Sequence, residues 1–222
     1  MPQIMMKSTL IIYSYVTLIL AAVSYAYFDL PVALYFQSIL YGDVYDFFHL
    51  ITDSGEGLYW IVPTALVYWF YRYFPLQYLP FSSWFIKNRA EDMRIMGFVA
   101  LSAFLSGLLV NILKLIFARY RPVEYFESQN YGLTWFGHGY EIASFPSGHS
   151  ATALGVAAAV ALLFPRYRYP ILFYGALVTF SRVVVTKHYL SDVLVGGYVG
   201  VLVSVFLYAR YFKPDNTSVS RY

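Results

Sequence analysis

The chain has 222 residues, of which 59% are apolar and only 12% are charged. Soluble domains carry roughly 45–50% apolar and about 25% charged residues, so this composition excludes a water-soluble globular protein. The formal net charge of +3 is too small for a nucleic-acid-binding surface. Because the chain has no cysteine, disulfide frameworks, thiolate metal sites and cysteine nucleophiles are excluded as well.

Six apolar stretches are long enough, or nearly so, to cross a bilayer as helices. A hydrocarbon core about 30 Å thick requires roughly 20 mainly apolar helical residues. The first stretch is too long and uncharged for a typical signal peptide, so we interpret it as a retained span. The sequence predicts an all-α integral membrane protein, with one membrane-embedded domain over residues 1–222 and a six-helix transmembrane bundle. The predicted spans are residues 8–28, 57–74, 95–118, 147–164, 170–186 and 191–212.

The distribution of charge predicts the orientation in the membrane. Cytoplasmic loops carry an excess of Lys and Arg. If the N-terminus is inside, ten of the fifteen basic residues lie on the inner side and nine of the twelve acidic residues lie outside. We therefore predict that both termini lie in the cytoplasm. The five outer basic residues need a functional reason, since charge near the membrane is costly; they are Lys114, Arg119, Arg121, Arg182 and Lys187.

The segments between the spans carry three further expectations. Residues 30–56 mix apolar and acidic positions and predict an interfacial or re-entrant helix at the outer face. Residues 72–94 are expected to form a cytoplasmic connector. The aromatic segment 123–143 fits a lid or headgroup contact, and equally an aromatic belt at the membrane surface.

The first polar cluster lies at the end of the third predicted span. Lys114 and Arg121 are seven residues apart, so on a continuing helix they share one face and can donate to one anion. Pro122 is then expected to end that helix. The alternative is a pair of interfacial cations whose side chains reach toward the headgroups.

The second cluster, residues 144–150, begins the fourth predicted span. Ser147 can cap the helix, and Gly148 lets backbone N–H groups approach a ligand closely. A helix N-terminus attracts anions, and His149 would point into such a site. An ordinary capped helix with an interfacial histidine is the alternative.

The third cluster places two ionisable side chains four residues apart. On one helical turn, the Asp192 carboxylate would lie against the His188 imidazole. The carboxylate can fix the imidazole tautomer and raise the nucleophilicity of the other ring nitrogen. A purely structural His–Asp hydrogen bond is the alternative.

The predicted topology places all three clusters at the outer membrane face, where three cations, two imidazoles and one carboxylate suit phosphoryl transfer. The sequence resembles the type-2 phosphatidic-acid phosphatase superfamily. Its motifs are Lys-x6-Arg-Pro, Pro-Ser-Gly-His and Ser-Arg-x5-His-x3-Asp. This chain matches them in order and without mismatch at residues 114–122, 146–149 and 181–192.

The resemblance implies a reaction and a role for each motif residue. His188 would attack phosphorus to give a phosphohistidine, with Asp192 orienting it, and His149 would protonate the leaving oxygen. No metal and no cofactor is implied. The residues implied to bind the phosphate are Lys114, Arg121, Arg182, Ser147 and Gly148.

The outer-face site favours a membrane lipid phosphate as substrate. The resemblance implies a bacterial inner-membrane enzyme, and by analogy with small bacterial members of the family undecaprenyl pyrophosphate and phosphatidylglycerol phosphate come first. A lipid A phosphatase or a lipid phosphotransferase of the same superfamily is the alternative. A proton- or ion-coupled transporter is a more distant alternative. Its ionisable residues would lie near the middle of the spans, whereas here they cluster at one face. A metal-dependent variant could use Asp46, His49, Asp53 and Glu56, which share one helical stripe, although such a stripe is more often solvated. An oligomer is possible but nothing indicates one; Gly196-x-x-x-Gly200 favours packing within the bundle over a dimer face.

Overall fold

The structure is a computed structural model that describes residues 3–39, 42–74 and 82–212, with the backbone alone at 3–9 and 82–88. Within these ranges the regular secondary structure is helical, and the β-type backbone pairing consists of two isolated bridges. The helices are α1 (Gln3–Val23), α2 (Asp29–Ser38), α3 (Asp43–Thr52), α4 (Gly57–Tyr73), α5 (Ser82–Ile116), α6 (Pro122–Ser128), α7 (Gly148–Leu163), α8 (Arg168–Val184) and α9 (Leu190–Tyr211).

Three helical segments are long and apolar enough to cross a membrane: Leu10–Ser38, Arg89–Ile116 and Leu190–Tyr211. They correspond to the first, third and sixth predicted spans. The other three predicted spans are the shorter helices α4, α7 and α8, with 17, 16 and 17 residues. The chain is an integral membrane protein, and the count of six spans stays a prediction.

The first helix continues past its predicted end at residue 28. A π-helical turn, Ser24–Phe28, joins α1 directly to α2, so residues 29–38 extend the same helix. Pro31 does not break it, because it follows the wide π turn and lies in the first turn of α2. The predicted outer segment is therefore divided between this extension, α3 and a 3₁₀ turn at Asp53–Gly55.

The second half of the predicted connector 72–94 is helical, because residues 82–94 form the beginning of α5; its cytoplasmic location stays a prediction. No proline interrupts α5, and Lys, Arg and Glu are good helix formers, so a charged segment can extend an apolar helix. Residues 75–81 of the connector, and residues 213–222 of the C-terminal tail, lie outside the described residues.

Helix α7 forms the centre of the bundle and packs against α5, α8 and α9. Small residues allow this close approach: a Cβ on Gly200 of α9 would lie 2.0 Å from the Ala151 carbonyl oxygen, and one on Gly196 would lie 2.3 Å from that of Ser147. The Gly196-x-x-x-Gly200 motif therefore packs within the bundle, as predicted. This contact brings the beginnings of α7 and α9 together, and with them two of the three polar clusters.

Candidate active site

A cavity of about 470 Å³ lies at the end of the bundle where α5 ends and α7 begins. It also borders α4, α8 and the segment between α8 and α9. Two of the predicted site residues, Ser147 and Asp192, lie fully buried behind its wall. The other six line the cavity: Lys114, Arg121, Gly148, His149, Arg182 and His188.

The first motif reaches the cavity by a different route from the one predicted. The last helical bond of α5 joins the Phe117 N–H to the Leu113 carbonyl, so Lys114 and Arg121 do not share one helix. Arg121 has an extended backbone, and Pro122 begins α6 instead of ending α5. Proline is well tolerated at a first helical position because that N–H has no helical partner.

Residues 118–121 are held extended by backbone pairing with the loop that precedes α7. The Arg121 N–H donates to the Glu141 carbonyl at 2.9 Å, and the Arg119 N–H donates to the Ile142 carbonyl at 2.7 Å. The Ser144 N–H donates in return to the Arg119 carbonyl at 3.0 Å. This pairing joins the first motif to the second and directs Arg121 to the cavity.

Besides the exposed Lys187, three cations line the cavity, and all three are hydrogen-bonded to neutral oxygens. Lys114 Nζ donates to the Ala143 carbonyl at 2.5 Å, and Arg182 Nη1 donates to Thr52 Oγ1 at 2.9 Å. Arg121 donates to three backbone carbonyls, the shortest being Nε to Tyr140 at 2.7 Å. In the described parts of the chain, none of the three has a carboxylate oxygen within 4.0 Å. Their charge is therefore directly available to an anion in the cavity.

Ser147 caps α7, as predicted, by accepting a hydrogen bond at 3.4 Å from the Ser150 N–H. Its own N–H donates to the Asp192 carbonyl at 3.0 Å, which connects the second motif to the third. A Cβ on Gly148 would meet no atom within 4 Å, so the backbone there borders open space. The beginning of α7 is therefore accessible from the cavity.

His149 has a carboxylate partner, Glu56, which the sequence analysis considered only as a possible metal ligand. Its Nε2 lies 3.2 Å from Glu56 Oε2, and both side chains are partly exposed. Glu56 belongs to the acidic stripe considered above as a metal site. Across the described residues, no group of three or more His, Cys, Asp and Glu side chains could hold a metal ion. Asp46, His49 and Asp53 are exposed, so that stripe is a solvated face.

The third motif lies before and at the beginning of α9. His188 precedes the helix, whereas Asp192 lies in its first turn, so they do not share a helical turn. His188 Nδ1 nevertheless faces Asp192 Oδ2 at 3.7 Å, slightly beyond hydrogen-bond distance. Burial lowers the pKa of His188 well below its usual value, against the opposing effect of Asp192. The imidazole is therefore neutral at pH 7, with Nδ1 toward Asp192.

The Asp192 carboxylate is held by groups that sequence reasoning missed. Its Oδ2 accepts from Ser144 Oγ at 2.6 Å and from the Tyr189 N–H at 2.8 Å. Its Oδ1 accepts from Arg119 Nη1 at 2.5 Å. In the sequence, Arg119 stood out only as one of the unexplained outer cations, and Ser144 lay in the second cluster without an assigned role.

Comparison with known proteins agrees with this geometry. Residues 96–215 match the PAP2 superfamily, which is more than half of the chain and includes all three motifs. The chain belongs to the PAP2 superfamily. A lipid A 1-phosphatase of Rhizobium etli is 30% identical over 203 residues, covering 88% of this chain and 84% of that protein. A lipid A 1-phosphatase of Rhizobium johnstonii is 29% identical over 202 residues, covering 88% and 80%.

The fold has a PAP2 counterpart among solved structures. A transmembrane PAP2 type phosphatidylglycerolphosphate phosphatase from Bacillus subtilis superposes with a TM-score of 0.58 at 20% identity. The match covers 94% of this chain and 98% of that one, so it extends over the whole fold. This PAP2 protein is an enzyme, a phosphoric monoester hydrolase embedded in the membrane.

Proposed function

We propose that this PAP2 protein is a lipid phosphatase that removes a phosphate from a glycolipid of the lipid A class without a metal ion. The observation that carries the proposal is the cavity in which His188 and three cations without carboxylate partners converge. Fixed cations around a phosphate stabilise the charge that develops on its oxygens during transfer.

The proposed reaction begins with attack by the far ring nitrogen of His188 on phosphorus. The new N–P bond forms as the bond from phosphorus to the leaving oxygen breaks, and His149 gives that oxygen its proton. Asp192 stabilises the positive charge that develops on the His188 ring, because it faces Nδ1. The product is an alcohol and a phosphohistidine.

In the second step, water replaces the nitrogen on phosphorus. His149, now without its proton, takes one from the attacking water, and the N–P bond breaks to release inorganic phosphate. Lys114, Arg121 and Arg182 would hold the non-bridging oxygens in both steps, together with the N–H groups at Ser147 and Gly148. Both steps then use the same set of charges.

A lipid substrate is supported by the remaining walls of the cavity. Beyond the charged groups, the cavity continues between α4 and α5 along apolar side chains, including Leu58, Ile61, Phe104 and Leu108. The α5 part of this wall lies within Arg89–Ile116, which is apolar enough to span a membrane. A phosphate on a membrane-anchored chain can therefore enter from the side while its tail stays in apolar surroundings.

The relatives favour lipid A over the substrates that the sequence placed first. Both Rhizobium proteins are lipid A 1-phosphatases and align with most of this chain. The Bacillus subtilis phosphatidylglycerolphosphate phosphatase shares the fold at only 20% identity. Phosphatidylglycerol phosphate and undecaprenyl pyrophosphate are thus the competing substrates. We propose further that the cavity opens to the periplasm of the inner membrane, on the charge distribution given above.

A substrate panel tests the proposal directly. Purified protein in detergent is incubated with lipid A, phosphatidylglycerol phosphate and undecaprenyl pyrophosphate, each in excess EDTA, and released phosphate is measured. We expect the highest kcat/KM with lipid A and no loss in EDTA. His188→Ala should abolish release, whereas His138→Ala, a change at an exposed histidine outside the cavity, should not.

Each alternative has its own outcome in this panel. Preference for either of the other two lipids would replace lipid A as the substrate. Phosphate recovered on a second lipid instead of in solution would indicate a phosphotransferase. Loss of activity in EDTA, or full activity of His188→Ala, would overturn the proposed chemistry.

A further inference from the structure

Behind the cavity, three charged side chains form a buried ion-pair network: Asp29, Arg119 and Asp192. Arg119 Nη2 lies 2.7 Å from Asp29 Oδ2, and Nη1 lies 2.5 Å from Asp192 Oδ1. All three side chains are at most 1% exposed. Charges so far from water persist only when they are paired and hydrogen-bonded.

Hydrogen bonds and aromatic rings hold this ion-pair network in one geometry. Ser191 Oγ accepts from Arg119 Nη1 at 2.7 Å and donates to Asp29 Oδ2 at 2.5 Å. Asp29 Oδ1 accepts from Ser24 Oγ at 2.8 Å. The Arg119 guanidinium carbon lies 4.3–5.4 Å from the ring centres of Tyr25, Tyr131 and Tyr189.

Two of these rings, Tyr131 and Tyr189, face Arg119 in their neutral form. Burial raises the pKa of Tyr131 to about 12 and raises that of Tyr189 above its usual value. Burial also opposes the charge of Arg119, but the two carboxylates outweigh it and raise its pKa. The charges of the group are therefore one guanidinium and two carboxylates.

This charge count has a consequence for Asp192. A single guanidinium is shared between two carboxylates, so the group keeps a net negative charge beside His188. If Asp29 were neutral, Arg119 would pair with Asp192 alone and reduce the field that Asp192 exerts on the imidazole. Arg119 without Asp29 would oppose the developing positive charge on His188 as well.

Asp29 comes from a helix that contributes no other group to this site. The cavity is lined by residues from Gly55 onward, so among the described residues none from α1 or α2 borders it. Asp29 directly follows the π-helical turn Ser24–Phe28, whose first residue is its hydrogen-bond partner Ser24. Such turns occur frequently at functional sites.

We propose that Asp29 and Arg119 are positioning residues that fix the geometry and the charge of Asp192 for its action on His188. The proposal rests on the proposed function, in which His188 is the nucleophile. Neither residue would touch the substrate. Their effect would therefore be on kcat and on the protonation of His188, and hardly on KM.

Asp29→Asn tests the proposal with almost no change of shape. We expect kcat to fall by about tenfold to a hundredfold, the range typical for groups that orient an active residue from behind, with KM unchanged. Removing a negative charge also makes the surroundings of His188 more positive. The acid limb of kcat/KM, which reports protonation of the free enzyme, should therefore move to lower pH.

The other charged groups facing His188 stay in place in this variant: Asp192 from α9, Lys114 from α5, Arg121 from the segment after α5 and Arg182 from α8. The matched control is Asp43→Asn, which removes an exposed carboxylate on α3. It should leave kcat and the acid limb unchanged. Arg119→Lys keeps the charge but replaces the two donor nitrogens, Nη1 and Nη2, with a single nitrogen, and it should lower kcat by a similar factor.

A double-mutant cycle separates charge balance from simple loss of structure. If Asp29 acts through Arg119, the combined Asp29→Asn and Arg119→Gln variant loses less kcat than the product of the two single losses. Independent effects that multiply fully would overturn the proposal. If Asp29→Asn does not fold, Ser24→Ala tests the proposal instead, because it removes only one hydrogen bond to Asp29. This variant should lower kcat several-fold with KM unchanged.

A measurement without turnover keeps this proposal distinct from the proposed function. The ring nitrogen resonances of His188, assigned by their loss in His188→Ala, report its tautomer and its pKa in the purified protein. We expect Asp29→Asn to lower that pKa and to weaken the preference for a proton on Nδ1. An altered resonance in a protein that cleaves no lipid phosphate would reject the function and retain the positioning. An unchanged resonance together with unchanged kcat would reject the positioning.

Discussion

Lys114 is the cavity cation that tests how much one positive charge contributes to the reaction. Its Nζ has one hydrogen-bond partner, the Ala143 carbonyl, and its stem lies on α5. Lys114→Met keeps the length and the helix propensity of the side chain but removes its charge. We expect kcat/KM to fall by about 10²–10³, as when one stabilising group is removed from a site that develops negative charge. Phosphate release measured over a range of substrate concentrations gives this value.

The control for Lys114→Met is Arg168→Met, which removes an exposed cation at the first residue of α8. It should leave kcat/KM within about twofold, since screening leaves little field from an exposed charge beyond about 10 Å. Vanadate should bind more weakly to Lys114→Met than to Arg168→Met, because it resembles the transition state. Equal activity of the two variants would show that Lys114 does not contact the phosphate.

The protonation of His188 gives a prediction for the pH dependence. Burial lowers the pKa of this imidazole, so the folded protein keeps it neutral down to a lower pH than the unfolded chain does. In the proposed reaction, attack needs the neutral ring. We expect the loss of kcat/KM that comes from protonation of His188 to begin only below about pH 6.5, the usual histidine pKa.

Phosphate esters also titrate, with a second pKa of about 6. The enzyme group is therefore identified with two substrates whose phosphates ionise at different pH. If the acid limb of kcat/KM lies at the same pH with both substrates, the group that titrates belongs to the enzyme. A decline that begins above pH 7 for both substrates would contradict a lowered His188 pKa.

At this scale the sequence predicts the residues that meet at the cavity but not the residues that hold them in place. Spacing and residue type were enough to place His188, Asp192 and Arg121 in one site. The partner of Arg119 could not be predicted, because Asp29 is 90 positions away and meets it only through packing of α1 and α2 against α9. Glu56 was noticed in the sequence, but its contact with His149 depends on how α4 packs against α7.

At the scale of the helices, the contact between α7 and α9 gives the sharpest prediction. Gly200 has its Cα against the backbone of α7, and a Cβ there would lie 2.0 Å from the Ala151 carbonyl oxygen. Backbone atoms cannot move aside as the end of a flexible side chain can. Gly200→Ala should therefore destabilise the fold by about 1–3 kcal/mol, the usual cost of overpacking. Thermal unfolding in detergent measures it.

The matched control is Gly97→Ala on α5, where a Cβ would meet no atom within 4 Å. Alanine in a helix interior is favoured over glycine by roughly 0.5–1 kcal/mol, so this variant should be as stable as the parent or slightly more stable. If Gly200→Ala were as stable as Gly97→Ala but changed the oligomeric state, Gly196-x-x-x-Gly200 would be a dimer face instead.

Helix periodicity alone misplaced Arg121 for a reason that lies outside its own segment. Seven residues separate it from Lys114, which fits two helical turns, and no glycine or proline intervenes. The helix ends early because residues 118–121 gain backbone partners in two distant segments, at Gly132 and at Glu141–Ile142. Tertiary pairing outweighed local propensity here, whereas Ser147, whose cap is formed within its own helix, was predicted correctly.

For the whole molecule, Arg168, one of the basic residues predicted to be cytoplasmic, lies at the opposite end of α8 from the cavity. Helix α8 has Arg168 at its first residue and Arg182 near its last, and its 17 residues span about 26 Å. That length is close to the thickness of a hydrocarbon core. The positive-inside bias therefore predicts that the Arg168 end faces the cytoplasm and that the cavity faces the periplasm.

Single cysteines test this orientation cleanly, because the chain has no cysteine of its own. Phe136 is 80% exposed, and its N–H donates a hydrogen bond to the Ile116 carbonyl at the end of α5, near the cavity. Tyr169 is 74% exposed at the other end, beside Arg168. In intact cells, a small membrane-impermeant maleimide should label Phe136→Cys and should label Tyr169→Cys only after the inner membrane is permeabilised. Both variants should retain phosphatase activity as a check on folding, and the reverse labelling pattern would place the cavity in the cytoplasm.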